Sequence, residues 1–184
     1  MSEQAKSATN KAAPRVLARG RYLTFIDDGG WEYVIRPQVT GIVVIVAVTD
    51  DARVLLVEQW RPAVRKRVIE LPAGLMGDVE ADEPLDKAAA RELEEETGFS
   101  AREMVLVGTG PIAVGVSDEV VSFFHARGLT RVGPGGGDAS ESIVNHEVPL
   151  AELRAFLAAR MADGLLVDVK IHAGLSLAGI AVPA

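Results

Sequence analysis

Apolar and polar positions change their period several times along the chain. Arg21–Ile26 and Trp31–Arg36 carry aromatic and β-branched residues on either side of Asp27-Asp28-Gly29-Gly30, which predicts a β-hairpin. Ile42–Val48 and Val54–Trp60 are denser in apolar residues and enclose Thr49-Asp50-Asp51-Ala52, a second strand pair of more buried character. Arg67–Leu71 reads as a further strand, ending at Pro72-Ala73-Gly74. From Pro84 to Thr97 the pattern becomes helical: proline opens it, strong helix formers fill it, and Gly98 stops it. Strands are expected near Met104–Gly108 and Val120–Ala126. The glycine-laden stretch from Val132 to Ser140 is expected to be a loop too flexible to pack. Ile143–Val148 is a strand, and Leu150, Leu153, Phe156, Leu157 and Met161 then recur at helical spacing up to Gly164. A last helix is expected from Asp168, whose side chain can cap it. Strands with helices on both sides predict an α/β sandwich.

Composition narrows the function classes. The 184 residues and 48% apolar content suit one ordinary domain with a real core. A net charge of −7 leaves no basic footprint for nucleic acid. Such a protein needs a bridging metal or a few local arginines to bind an anion. The absence of cysteine excludes disulfides, thiolate zinc sites and cysteine nucleophiles together. His125, His146 and His172 stand far apart at no metal-ligand spacing, so each reads as a surface or strand position. Residues 1–13 are polar and alanine-rich, which predicts a frayed, disordered tail rather than a signal peptide. The longest apolar run, Gly41 to Val48, is far too short to span a bilayer, so the expectation is a soluble cytoplasmic protein.

The helix that ends at Gly98 carries the chemistry. At about 100° per residue, Glu92, Glu95 and Glu96 continue the row of Leu85, Ala88 and Ala89, which should point inward. Three carboxylates near a helix C-terminus repel one another and oppose the macrodipole. A solvated charged face is the ordinary account of a glutamate run, and Glu94 fits it. For the inward three, a divalent cation turns repulsion into binding, and oxygen-only donors favour Mg²⁺ or Mn²⁺ over zinc.

Gly77, Glu83, Arg91-Glu92-Leu93, Glu95-Glu96 and Gly98-Phe99 together resemble a complete Nudix box, with every fixed position filled. The resemblance runs in order from about Trp31 to Leu177. It implies a Nudix α/β/α sandwich with a mixed sheet over 39–184, preceded by an antiparallel hairpin subdomain over 14–38 that forms a homodimer. It also implies Mg²⁺-dependent attack of water on a diphosphate. On that resemblance Glu92, Glu95, Glu96 and the backbone carbonyl of Ala73 are the metal ligands. Arg91 orients the carboxylates, and Glu83 supports the loop.

Outside the box, Trp31-Glu32 with Val34 and Arg36, Gln59-Trp60-Arg61-Pro62 and Glu70-Leu71-Pro72-Ala73-Gly74 resemble the ADP-ribose and nucleoside-diphosphate-sugar pyrophosphatase branch. The resemblance implies Trp31, Arg36, Arg61 and Glu70 as the substrate-binding set. Trp31 would stack on the base, the alternative being a place in the hairpin core. Arg36 and Arg61 would hold phosphates as charge-assisted donors, or else be solvated strand ends. Glu141 lies where relatives carry the general base, with Glu119 and Asp138 as alternates. One departure stands out. The branch carries Ser-Pro-Gly shortly after the box, whereas this chain has Ala113-Val114-Gly115 followed by Ser117-Asp118-Glu119. GDP-mannose or a broader nucleoside-diphosphate-sugar activity therefore stays open beside ADP-ribose. The rival from another class is a domain that senses ADP-ribose without cleaving it. A triphosphate sanitiser or an RNA-end hydrolase would generally lack the N-terminal hairpin.

Overall fold

The structure is a computed structural model, and it describes residues 13–76, 83–137 and 142–183. The chain divides into two compact units. One holds the residues up to Gln38 together with Pro111–Glu119, and the other holds Val39–Gly110 and Val120–Ala184.

The first unit is a three-stranded antiparallel sheet, β1 (Arg15–Arg19), β2 (Thr24–Asp28) and β3 (Trp31–Ile35), in the order β1-β2-β3. The expected two-stranded hairpin is thus one strand short, and its first strand begins later than Arg21. Gly29 and Gly30 both take positive φ, the requirement of a two-residue type I′ connection, and Asp27 accepts the Gly30 N–H at 2.7 Å. β1 escaped the pattern because it is exposed along its whole length and so shows no alternation. From the other segment of this unit, Val34 donates to Val116 and Asp118 donates to Val34.

In the second unit come β4 (Gly41–Ala47), β5 (Arg53–Arg61), β6 (Lys66–Glu70), β7 (Ala73–Met76) and α1 (Leu85–Thr97). They are followed by β8 (Phe99–Pro111), β9 (Val120–Arg131), β10 (Val144–Pro149), α2 (Leu153–Ala162), β11 (Leu166–Val167) and α3 (Lys170–Leu177). Among the described residues two four-stranded sheets form, β7-β4-β9-β8 and β10-β5-β6-β11. Both are mixed: β4 runs parallel to β9 and antiparallel to β7, while β6 runs antiparallel to β5 and parallel to β11.

The dense apolar runs of β4 and β5 are explained by burial on two faces. Val43, Ile45, Ala47 and Leu55 pack with Ala88, Ala89 and Leu93 of α1. Val44, Val46, Val54 and Leu56 pack with Leu153 and Leu157 of α2 and with Ile171 and Leu175 of α3. Helices thus cover opposite faces, giving the α/β/α arrangement. At the entry to α3, Asp168 Oδ1 accepts the Lys170 N–H at 2.8 Å. No helix among the described residues is long and apolar enough to cross a membrane.

The glycine-rich stretch differs from expectation. Its described part, residues 132–137, docks on the C-terminal end of α1. Val132 and Gly133 N–H bond the Gly98 carbonyl at 2.8 and 3.0 Å, Gly136 N–H the Glu96 carbonyl at 2.7 Å, and Gly137 N–H the Glu95 carbonyl at 3.0 Å. The reason is that the last carbonyls of a helix have no partner within it, and a bare glycine backbone can approach close enough to supply one.

Candidate functional site

α1 stops cleanly because Gly98 takes a left-handed conformation, φ +75°, and returns its N–H to the Glu94 carbonyl. The inward stripe then places its carboxylates against β7. Glu96 is 2% exposed, and its Oε2 accepts the Ala73 N–H at 3.0 Å. Glu92 lies flat on Gly74, where an added Cβ would come within 1.9 Å of the Glu92 carboxyl carbon. Any larger residue at position 74 would displace the Glu92 side chain from this position.

Glu95 departs from the expected inward row, since its side chain is 50% exposed. The buried stripe is made of Ala88, Ala89, Leu93, Glu96 and Thr97, and Glu95 sits about 100° around the helix from Glu96, at the rim. Arg91 binds the cluster together. Its Nη1 donates to Glu92 at 2.9 Å and to Glu95 at 3.1 Å, while Nε and Nη2 form a fork on Glu83 at 3.3 and 3.2 Å. Burial works against the Arg91 charge, but the bond to Glu83 and the charge of Glu92 outweigh it and raise its pKa above the ordinary guanidinium value. A cleft of about 570 Å³ opens beside this group, lined by Arg91, Glu94, Glu95, Gly133, Pro134 and Gly135.

The donor set suits a hard cation. Glu92 and Glu96 converge on the Ala73–Gly74 backbone, and the donors both side chains offer are carboxylate oxygens. In an antiparallel ladder the N–H and C=O of one residue point to the same side. Ala73 stands opposite Val44 on β4, and the ladder bond at that point runs from Ile45 N–H to the Pro72 carbonyl. Ala73 gives its N–H to Glu96, so its carbonyl also turns away from β4. Among the described residues, no three histidine, aspartate or glutamate side chains stand close enough together to hold an ion by themselves. A carbonyl, water or substrate oxygen would have to complete the shell.

Arg61 and Glu70 form a two-bond fork across β5 and β6, at 2.6 and 2.7 Å. The Glu70 side chain is 5% exposed and that of Arg61 43%. The Glu70 hydrogen bond raises the Arg61 pKa against the cost of burial, with the charges of Glu70, Glu96 and Asp168 adding to it. Arg61 is therefore within electrostatic reach of the carboxylate site. In the first unit, Arg36 Nε bonds Glu119 at 3.0 Å, so this phosphate candidate and this alternate base neutralise each other. Trp31 is 62% exposed at the end of β3 rather than packed in the hairpin core. Gly77, Asp138 and Glu141 lie outside the described residues.

Sequence reasoning missed one group. Glu58 on β5 bonds Arg67 of β6 and His146 of β10, and Arg67 Nη2 also reaches the Ser142 carbonyl at 3.4 Å. Burial pushes the Glu58 carboxyl up, but the Arg67 and His146 bonds prevail and hold it below its ordinary value. A glutamate within an apolar strand whose neighbouring strand carries arginine was the available signal.

Comparison with known proteins places this geometry. The NUDIX domain family matches residues 39–166, well over half of the chain. The chain belongs to the Nudix family. This Nudix domain is 31% identical over 118 residues to a methanol dehydrogenase activator of Bacillus methanolicus, covering 64% of this chain and 62% of that protein. It is 36% identical over 90 residues to an ADP-ribose pyrophosphatase of Bacillus subtilis, covering 49% and 47%. It is 44% identical over 93 residues to an ADP-ribose pyrophosphatase of Mycobacterium tuberculosis, covering 50% and 44%. The matches thus span roughly half the length of these relatives. Among solved structures, an ADP compounds hydrolase shares the fold with a TM-score of 0.72 at 21% identity, over 95% of each chain.

Proposed function

We propose that this protein hydrolyses the diphosphate linkage of ADP-ribose or a related nucleoside-diphosphate sugar, giving a nucleoside monophosphate and a sugar phosphate. The observation that carries the reading is the convergence of Glu92 and Glu96 on the Ala73–Gly74 backbone, with Arg91 bridging Glu92 and Glu95. Two relatives with ADP-ribose pyrophosphatase activity in their names support the substrate class.

Glu92, Glu95, Glu96 and the Ala73 carbonyl would hold Mg²⁺ or Mn²⁺. Bound there, the cation neutralises charge on the diphosphate oxygens and makes water more acidic. Arg91 keeps the Glu92 and Glu95 carboxylates ionised and oriented. Arg61, fixed by Glu70, presents positive charge toward a phosphate while its partner limits where the guanidinium can point. Trp31 stacks on the base, Arg36 adds a second positive group, and Glu141 accepts the proton of the attacking water. The water oxygen bonds to phosphorus, the bridging oxygen departs with the other phosphate, and the proton passes to the carboxylate. The N-terminal sheet (14–38) pairs with that of a second copy, and the enzyme works in the cytoplasm.

GDP-mannose or broader nucleoside-diphosphate-sugar hydrolysis is the second reading, favoured by Ala113-Val114-Gly115 where the branch has Ser-Pro-Gly. The test is a panel of ADP-ribose, ADP-glucose, GDP-mannose, UDP-glucose and dGTP with Mg²⁺, each followed by product analysis. Turnover of ADP-ribose to AMP and ribose phosphate, abolished by chelation, is the expected result. Binding of ADP-ribose without turnover of any of the five would overturn the enzymatic reading in favour of a sensor.

A further inference from the structure

We propose that Gly135, Gly136 and Gly137 are positioning residues for the carboxylates of α1, acting through the backbone of Glu95 and Glu96. This rests on the metal-site reading above. A helix that ends in a left-handed glycine caps its terminal carbonyls from its own following residues. Gly98 does so for Glu94 only. The next two carbonyls, those of Glu95 and Glu96, are taken by Gly137 and Gly136, residues remote in sequence. Two of the three glutamates proposed to hold the cation therefore have their main chain held from outside the helix.

The fit is interlocked rather than incidental. A Cβ on Gly98 would come within 2.2 Å of the Gly133 carbonyl oxygen. A Cβ on Gly135 would come within 2.4 Å of the Thr97 carbonyl carbon and 2.6 Å of the Glu96 oxygen, and Gly135 already sits at φ +65°. Each backbone occupies the space where the other's side chain would be. Asn145 Nδ2 reaches the Pro134 carbonyl at 3.4 Å and steadies the strand side of the loop.

The brace has an electrostatic consequence as well. Three carboxylates at the negative end of a helix dipole are held in an unfavourable field. Two N–H groups that bond the terminal carbonyls reduce the negative charge presented there. Without them the last turn would fray, and the carboxylates would lose the alignment that shared cation binding needs.

The experiment compares Gly135→Ala with Gly110→Ala on the full chain. Position 110, in β8, has open space for a methyl group and no positive φ, so it controls for the general cost of replacing a glycine. Mn²⁺ binding is followed by electron paramagnetic resonance, and ADP-ribose hydrolysis at saturating Mn²⁺ by steady-state kinetics. In folded Gly135→Ala, the Mn²⁺ dissociation constant should rise and kcat fall by about tenfold each, as when outer-shell partners of a metal site are removed. KM should move less than about threefold, and Gly110→Ala should stay within about twofold of wild type in every readout. If Gly135→Ala does not fold, Gly136→Ala carries the same test, since its methyl meets nothing within 4 Å and only φ +113° strains it. Wild-type Mn²⁺ affinity and kcat in the folded variant would overturn the brace, as would an equal loss in Gly110→Ala. A wild-type protein that neither binds Mn²⁺ nor hydrolyses the sugar would instead sink the site reading, and the brace with it.

Discussion

Glu96 accepts the backbone N–H of Ala73 through one carboxylate oxygen, so the most buried acid among the described residues is tied to the strand whose carbonyl faces the same side. Glutamine at this position keeps one oxygen to accept that N–H. Glu96→Gln should therefore fold as well as wild type or better, because a buried charge has been removed. Hydrolysis should collapse in Glu96→Gln and weaken strongly in Glu95→Gln, with loss of divalent-cation dependence. Thermal unfolding alongside turnover separates the two effects. Full turnover by the folded Glu96→Gln protein with Mg²⁺ would refute the metal assignment.

The Arg61–Glu70 fork predicts a stability cost that comes from the partner left behind. Truncating Arg61 strands a nearly buried carboxylate. Arg61→Ala should lose about 2–3 kcal/mol, below the roughly 3–5 of a fully buried pair because Arg61 is partly solvated. Pairing it with Glu70→Met should restore much of that loss in denaturant melts, while leaving phosphate affinity impaired. A double variant no more stable than Arg61→Ala would show that the fork is not what stabilises this corner.

Several features of the site were legible because their cause is local. The double-faced apolar runs of β4 and β5, and the stop at Gly98, follow from burial and φ alone. What was not legible depends on partners remote in sequence. β7 is a strand only because β4 pairs with it, and Ala73–Met76 carries no period of its own. The glycines at 133–137 signal freedom in sequence, yet their exposed N–H groups are what allow docking on α1. Arg36 and Glu119 neutralise each other across a long stretch of chain, which spacing along the sequence does not reveal. Glu95 looked inward because one helix row was extrapolated through the last turn, where the buried stripe instead centres on Leu93 and Glu96.

Glu58 gives a pH dependence of stability. Its folded-state pKa is depressed below the ordinary 4.5, so it contributes stability that is fully present above that value. The contribution is lost as pH falls through the lower, folded pKa. Wild type should exceed Glu58→Gln by about 1.5–3 kcal/mol at neutral pH, the range for hydrogen bonds to a charged group. The gap should close steadily below pH 4.5 in urea titrations. A constant gap across that range would show that the ionised carboxylate, with Arg67 and His146 around it, is not what stabilises the junction of β5, β6 and β10.

The first unit predicts a dimer. β1 is an edge strand exposed throughout, and Val16, Leu17, Tyr22 and Leu23 are exposed on or beside it. An unpaired edge with apolar side chains is a template for another strand. Sedimentation at micromolar concentration should give twice the 19.5 kDa of one chain, and Leu17→Glu should shift it toward monomer. A wild-type monomer under those conditions would contradict the idea.

Trp31 and Glu141 should separate binding from chemistry. Trp31 is largely exposed at the end of β3, so Trp31→Ala should change stability by no more than about 0.5 kcal/mol. Its loss should instead appear in KM, because a stack on the base is remote from the reacting phosphorus. A stacking contribution of about 1–3 kcal/mol corresponds to roughly a 5- to 150-fold rise. Glu141, as the base, acts only in the transition state, so Glu141→Gln should lower kcat and leave KM nearly unchanged. Steady-state kinetics of both variants on ADP-ribose test the pair. An unaltered kcat in Glu141→Gln would move the base to Asp138, to a box glutamate, or to Glu119, which would then have to leave its bond with Arg36. An unaltered KM in Trp31→Ala would leave the exposed indole to the interface between copies and adenine preference without a residue to explain it.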